Sequence, residues 1–133
     1  VGNYNLRARD IMHPEVATIL DDATVEEAAS IMRMEGVRSL LIVPHDKEDS
    51  YGMVSYADIV SKIIADGLDP KIVRVDEIMT KPAITIPPTM EVKHIARLFR
   101  QTKIGHAPVV DGGGLLGMVS MTDLITEVIT EPA

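Results

Sequence analysis

A nine-residue phrase written twice constrains this chain more than any other feature. Its first copy is Gly52-Met53-Val54-Ser55-Tyr56-Ala57-Asp58-Ile59-Val60, and its second is Gly117-Met118-Val119-Ser120-Met121-Thr122-Asp123-Leu124-Ile125. At an offset of 65, five of the nine positions are identical: Gly, Met, Val, Ser and Asp. Each copy reads as a short strand running into a serine that opens a helix, with a carboxylate three residues later. Self-similarity at this distance implies two equivalent half-molecules.

The rest of the repeat is in register. Asp10-Ile11-Met12 and Glu77-Ile78-Met79 open the two copies at an offset of 67, which then holds from Thr18-Ile19 and Thr85-Ile86 through Val25 and Val92, Ala29 and Ala96, and Arg33 and Arg100 to Val43 and Val110. The next loop is two residues shorter in the second copy, where folded repeats tolerate length changes. The periodicity predicts strands at 16–19 and 83–86. A helix capped by Thr24, with Glu27 completing a capping box, should bury Val25, Ala28, Ala29 and Met32. Its counterpart, starting near Thr89, should bury Val92, Ile95, Ala96 and Phe99. Strands 39–43 with 51–54, and 107–110 with 115–119, follow in pairs. Closing helices span 56–65, with Ile59, Val60, Ile63 and Ile64 apolar, and 122–129, with Leu124, Ile125, Val128 and Ile129 apolar.

The expected class is α+β: two β-α-β-β-α repeats, 7–65 and 76–131, joined by a linker at 66–75 that breaks at Asp69-Pro70. Residues 1–6 read as an arm. A single unit of about 55 residues buries only a thin core, so two should pack together about a pseudo-twofold axis.

Composition narrows the function. Aromatics are scarce, with one Phe, three Tyr and no Trp, so the core must be aliphatic, with eight Met as adaptable filler. Cys is absent, which excludes disulfides, thiolate catalysis and Cys-ligated zinc and fits a cytoplasmic address. There is no run of membrane-spanning length and no basic leader. A first residue of Val rather than Met is what a piece trimmed from a longer protein would show. The net charge is −7, with 6 basic against 11 acidic groups in 7–65 and 5 against 7 in 76–131. That balance argues against a general nucleic-acid binder.

Gly112-Gly113-Gly114-Leu115-Leu116-Gly117 matches a dinucleotide fingerprint, but a strand follows where a helix is required, so it reads as a hairpin turn. The histidines lack metal-ligand spacing, His13 and His45 falling at turns and His94 on a helix; no metal is expected. Lys93, Arg97 and Arg100 share a helix face that reads as solvated. The repeated Ser-x-x-Asp has two readings. It is a capping box. It is also a hydroxyl, free amides and a carboxylate suited to a phosphate and to the adjacent hydroxyls of a ribose. The glycine three residues before each serine would let something approach the backbone.

The doubled unit, its Asp-Ile-Met and Glu-Ile-Met openings, Gly105-His106-Ala107-Pro108-Val109-Val110 and the two closing phrases together resemble a tandem pair of CBS (cystathionine β-synthase) domains, a Bateman module, over nearly all of 7–130. The resemblance implies a sensor rather than an enzyme. It would bind AMP, ADP, ATP, NAD or S-adenosylmethionine in clefts between repeats and signal through shape or dimer contacts to an effector domain or partner protein. Asp58 and Asp123 would hold ribose, Ser55 and Ser120 would lie near phosphate, and Met53 and Met118 would line adenine pockets. The Asp58 cleft would borrow Ile84, Ile104, Gly105 and His106; the Asp123 cleft would borrow Ala17, Val37, Arg38 and Ser39. Arg38 and His106 would meet phosphate, and the permanent charge of Arg38 would give the Asp123 cleft the more phosphorylated ligand. The alternative is a structural dimerisation or partner-binding module with empty clefts. An enzyme ranks last, because no nucleophile–base pair is apparent.

Overall fold

The computed structural model describes residues 2–46, 48–112 and 114–130; Val1, Lys47, Gly113 of the glycine turn and residues 131–133, with the expected border at 131, lie outside the described residues. In chain order the elements are α1 (Ala8–Ile11), β1 (Thr18–Leu20), α2 (Val25–Glu35), β2 (Ser39–Val43), β3 (Gly52–Ser55), α3 (Tyr56–Ile59), α4 (Val92–Thr102), β4 (His106–Asp111), β5 (Gly114–Ser120) and α5 (Met121–Leu124). They form an α+β chain of two compact units, one of residues 17–83 and the other of residues 1–16 with 84–133.

In the 17–83 unit, β1 pairs parallel with β2, and β2 antiparallel with β3. Helix α2 starts at Thr24, whose hydroxyl accepts from the Glu27 amide at 3.2 Å, so the capping box is present in this one direction. It ends at Gly36 in the left-handed region at φ 66°. The core is Ile19, Val25, Ala28, Met32, Leu40, Ile42, Val54, Ile63, Val75 and Ile78. The linker belongs here: Val25 N donates to Val73 O and Val75 N to Ala23 O.

In the other unit, β4 pairs antiparallel with β5 from His106↔Ser120 to Asp111↔Gly114, with a bulge between Val109 and Val110. Asp111 pairs with Gly114 and β5 follows, as the sequence context of a hairpin predicts. Its core is Ala8, Ile11, Ile86, Val92, Ile95, Phe99, Ala107, Val109, Val119 and Val128. The N-terminal segment joins it through Val92 N to Leu6 O and Ala8 N to Met90 O.

Four local expectations change. The strand expected at 83–86 contracts to one parallel bridge, Ile86↔Val109. Pro87 and Pro88 follow Ile86 and supply no N–H donors to extend it. Helix α4 is entered at Glu91 rather than Thr89. Ala29 and Ala96 are exposed, because α2 and α4 each bury a narrower face than the apolar pattern suggests. The closing helices begin as α3 and α5 and widen to π turns at Val60–Ile64 and Ile125–Ile129. There Ile63 and Val128 are buried, whereas Val60, Ile64, Ile125 and Ile129 are exposed.

Candidate functional site

Both repeated phrases fold alike. Ser55 and Ser120 are extended N-cap residues at the ends of β3 and β5, and each opens a short helix. The Asp58 amide donates to Ser55 Oγ at 3.3 Å, as the Asp123 amide does to Ser120 Oγ. In return Asp58 Oδ2 accepts from Ser55 N at 2.9 Å and from its hydroxyl at 3.1 Å. Asp123 Oδ2 accepts from Ser120 N at 2.7 Å and from its hydroxyl at 2.9 Å. Each cap thus occupies Oδ2 and leaves Oδ1 for another partner.

That partner differs between the phrases. Asp58 Oδ1 lies 3.3 Å from Lys62 Nζ, one turn along the same helix, and the ammonium also donates to Ile78 O at 2.7 Å. Asp123 Oδ1 is instead hydrogen-bonded by His13 Nε2. The Asp123 side chain is 4% exposed and that of Asp58 18%. Lys62, four residues after Asp58, was within reach of a helical-spacing argument. His13 was not, because nothing local connects it with a residue 110 positions away.

The glycines before each serine are approached, but by the chain itself. A Cβ on Gly52 would meet Met79 Sδ at 2.6 Å; one on Gly117 would meet His13 O at 2.5 Å. The segments responsible pair with the phrases as isolated bridges, Met53↔Thr80 and His13↔Met118. The close approach expected at these glycines is thus made by the chain's own segments.

Met53 and Met118 are half-buried on β3 and β5. In the 17–83 unit, Ala17 O accepts from Leu41 N, Arg38 is exposed with its carbonyl accepting from Tyr56 N, and buried Ser39 stands opposite Ser55. In the other unit, Ile84, Ile104, Gly105 and His106 are half-buried, Gly105 O accepts from Met121 N, and His106 stands opposite Ser120. The counterpart of Arg38 is therefore Gly105, and that of His106 is Ser39. The two expected phosphate groups occupy successive positions rather than matching ones.

One cluster escaped the spacing argument. The parallel pairing Leu20↔Val43 carries the following loops together. His45 Nε2 then lies 3.1 Å from Asp21 Oδ1 and 3.3 Å from Asp22 Oδ2. The three groups offer ligand atoms that all lie within 4.8 Å of one another, an arrangement that exposed acidic groups also adopt without an ion.

Comparison with known proteins agrees with this architecture. The CBS domain family model matches residues 8–65 and 75–130. The CBS domain-containing protein CBSX3, mitochondrial, of Arabidopsis thaliana is 33% identical over 113 residues, covering 83% of this chain and 55% of that protein. The chain spans little more than half the length of this relative and of a Methanopyrus kandleri protein matched at 32% identity. Among solved structures, the hexameric CBS-CP12 protein from bloom-forming cyanobacteria superposes with a TM-score of 0.87 at 43% identity, covering 92% of this chain and 67% of that one. The CBS domain protein PAE2072 from Pyrobaculum aerophilum, solved as a complex with AMP, has a TM-score of 0.81 at 26% identity, with 92% of each chain covered.

Proposed function

The chain belongs to the CBS domain family, and we propose that it is a non-catalytic regulatory module that binds adenosyl nucleotides through Asp58 and Asp123. The observation that carries this reading is the division of labour within each carboxylate. Capping accounts for Oδ2 alone, while Oδ1 of each aspartate is held by a side chain that a ribose hydroxyl can replace. The AMP complex of PAE2072 supports the ligand class. Ser55 and Ser120 would lie near phosphate, with Arg38 and His106 as its further contacts. Met53 and Met118 would flank adenine, and Ala17, Val37, Ser39, Ile84, Ile104 and Gly105 complete the ligand contacts. AMP, ADP and ATP are the first candidates, with NAD and S-adenosylmethionine next; no metal is required. The module would act in the cytoplasm as a homodimer whose contacts respond to the ligand.

A purely structural role is the second reading, favoured by exposed apolar helix faces in both units. Calorimetry separates the two. Asp58→Asn and Asp123→Asn each keep an acceptor for the cap but place an amide where Oδ1 was. Each substitution should remove binding at its own site, lowering affinity at least tenfold, with thermal stabilisation by ligand falling in parallel. Undiminished binding of AMP, ADP and ATP by the double variant would overturn the assignment. No thermal shift of the unmodified chain with any of the five ligands at millimolar concentration would favour the structural reading.

A further inference from the structure

We propose that His13 is a latch on Asp123: it holds the carboxylate oxygen that a ribose would take, so a nucleotide entering this site must displace its ring. This rests on the reading of Asp123 as the ribose acceptor. Asp123 Oδ2 is committed to Ser120 N and Oγ. The remaining oxygen, Oδ1, is taken by His13 Nε2. The carboxylate is nearly sealed at 4% exposure, whereas the His13 side chain above it is 67% exposed. A ring so exposed can leave by side-chain rotation without unpacking the core. Its backbone stays in place, because His13 N donates to Met118 O and Met118 N to His13 O, both at 2.9 Å.

The other unit shows what the same fold does without the latch. At the position matching His13 stands Thr80, which makes the same pair of backbone bonds to Met53, each 2.9 Å. The cation at Asp58 Oδ1 is Lys62. Its counterpart after Asp123 is Glu127, which cannot serve. The two sites therefore differ in a way the repeated phrase conceals: one aspartate is held by a lysine one turn along its own helix, the other by a histidine 110 residues away in sequence.

The charged group facing His13 is Asp123, at the start of α5. Strand β5, which pairs with the His13 backbone, carries no titratable side chain. On its own side, Arg9, Asp10 and Glu15 are exposed, and Asp10 accepts from Arg7 N. The ring and a ribose hydroxyl compete for the same carboxylate oxygen, so removing the ring raises nucleotide affinity at Asp123.

The test uses the full chain carrying Asp58→Asn, so that the Asp123 site alone reports, titrated with AMP by calorimetry. His13→Thr installs the residue that the matching position already tolerates, and His13→Gln keeps a neutral donor. His13→Thr should raise AMP affinity about tenfold. His13→Gln should raise it less, because its amide retains part of the competition. In the unsubstituted-His13 chain, saturating AMP should move the His13 ring resonances to those of a solvated imidazole. If both His13 variants bind AMP as their parent does, while Asp123→Asn abolishes binding, the latch is wrong and the ribose reading stands. If Asp123→Asn binds AMP as tightly as its parent, both fall.

Discussion

The repeated glycines show how one residue can be required for a reason its neighbours do not disclose. Gly52 and Gly117 precede serines at the same distance and sit on matching strands, yet different atoms crowd them. A methyl group at Gly117 meets a backbone carbonyl, His13 O, and also Met12 Sδ at 3.1 Å. The carbonyl is fixed by its pairing with Met118, so the strand or the segment must move. A methyl at Gly52 is crowded by Met79 Sδ at 2.6 Å, with Ile42 Cβ at an ordinary 3.5 Å, and a thioether can choose another rotamer. Gly117→Ala should therefore destabilise the chain by about 1–3 kcal/mol, and Gly52→Ala by about 1 kcal/mol or less. Urea unfolding of the two variants compares them directly. Equal losses, or a larger loss at Gly52, would show that backbone crowding is not what fixes the glycine. Because Gly117→Ala pushes on the residue that bears the latch, it should also weaken the hold of His13 on Asp123.

At the scale of elements, the two cores correspond position for position. Ile19 matches Ile86, Val25 matches Val92, and Ile42, Val54 and Ile63 match Val109, Val119 and Val128. Six of the ten matched positions differ in side chain, and two of them are large exchanges in opposite senses. Helix α2 contributes Ala28 where α4 contributes Ile95, while β2 contributes Leu40 where β4 contributes Ala107. One unit fills its core from the strand and the other from the helix, as volume-conserving exchange permits. Leu40→Ala should cost about 2–5 kcal/mol as a cavity, and Ala28→Ile about 1–3 kcal/mol as overpacking. Together they reproduce the pattern of the other unit. The double variant should lose at least about 1 kcal/mol less than the sum, and a strictly additive cycle would refute the compensation. This correspondence is why the class of fold was legible before any coordinates: ten matched positions impose the same periodicity twice. What stayed hidden depended on partners distant in sequence. The contraction of the strand at 83–86 was foreshadowed by Pro87 and Pro88, but the exposure of Ala29 and Ala96 and the approach of His13 to Asp123 were not. For the site, the serines and aspartates could be read as helix starts with spare acceptor capacity. Which oxygen was spare, and what held it, required the fold.

For the whole molecule, the unsatisfied surface is as regular as the core. Tyr56, Val60 and Ile64 are 46%, 55% and 67% exposed, and Met121, Ile125 and Ile129 are 52%, 57% and 55% exposed. Each triplet follows an i, i+4, i+8 spacing and forms an apolar stripe on a closing helix. In the unit formed by residues 1–16 and 84–133, that stripe walls a groove of about 760 Å³ with Ala96 and the stems of Lys93, Arg97 and Arg100. The basic face that reads as solvated in the sequence is thus the rim of an apolar depression, where long side chains cover hydrocarbon with their stems. Stripes repeated in both units are a costly surface for an isolated chain and a natural seam for a second copy. Replacing Val60, Ile64, Ile125 and Ile129 together with Ser removes apolar area from both stripes and leaves the net charge unchanged. Sedimentation equilibrium should find the unmodified chain dimeric and the quadruple variant monomeric. The substituted side chains are exposed in a single chain, so far-UV circular dichroism of the variant should keep its helical content. If nucleotide binding alters the dimer contacts, the same linkage makes dimerisation alter nucleotide affinity by an equal factor. The monomeric variant should then bind AMP with an affinity different from that of the dimer. A variant that stays dimeric, or an unmodified chain that is monomeric at about 100 μM, well above a micromolar dissociation constant, would remove the stripes as the dimer seam.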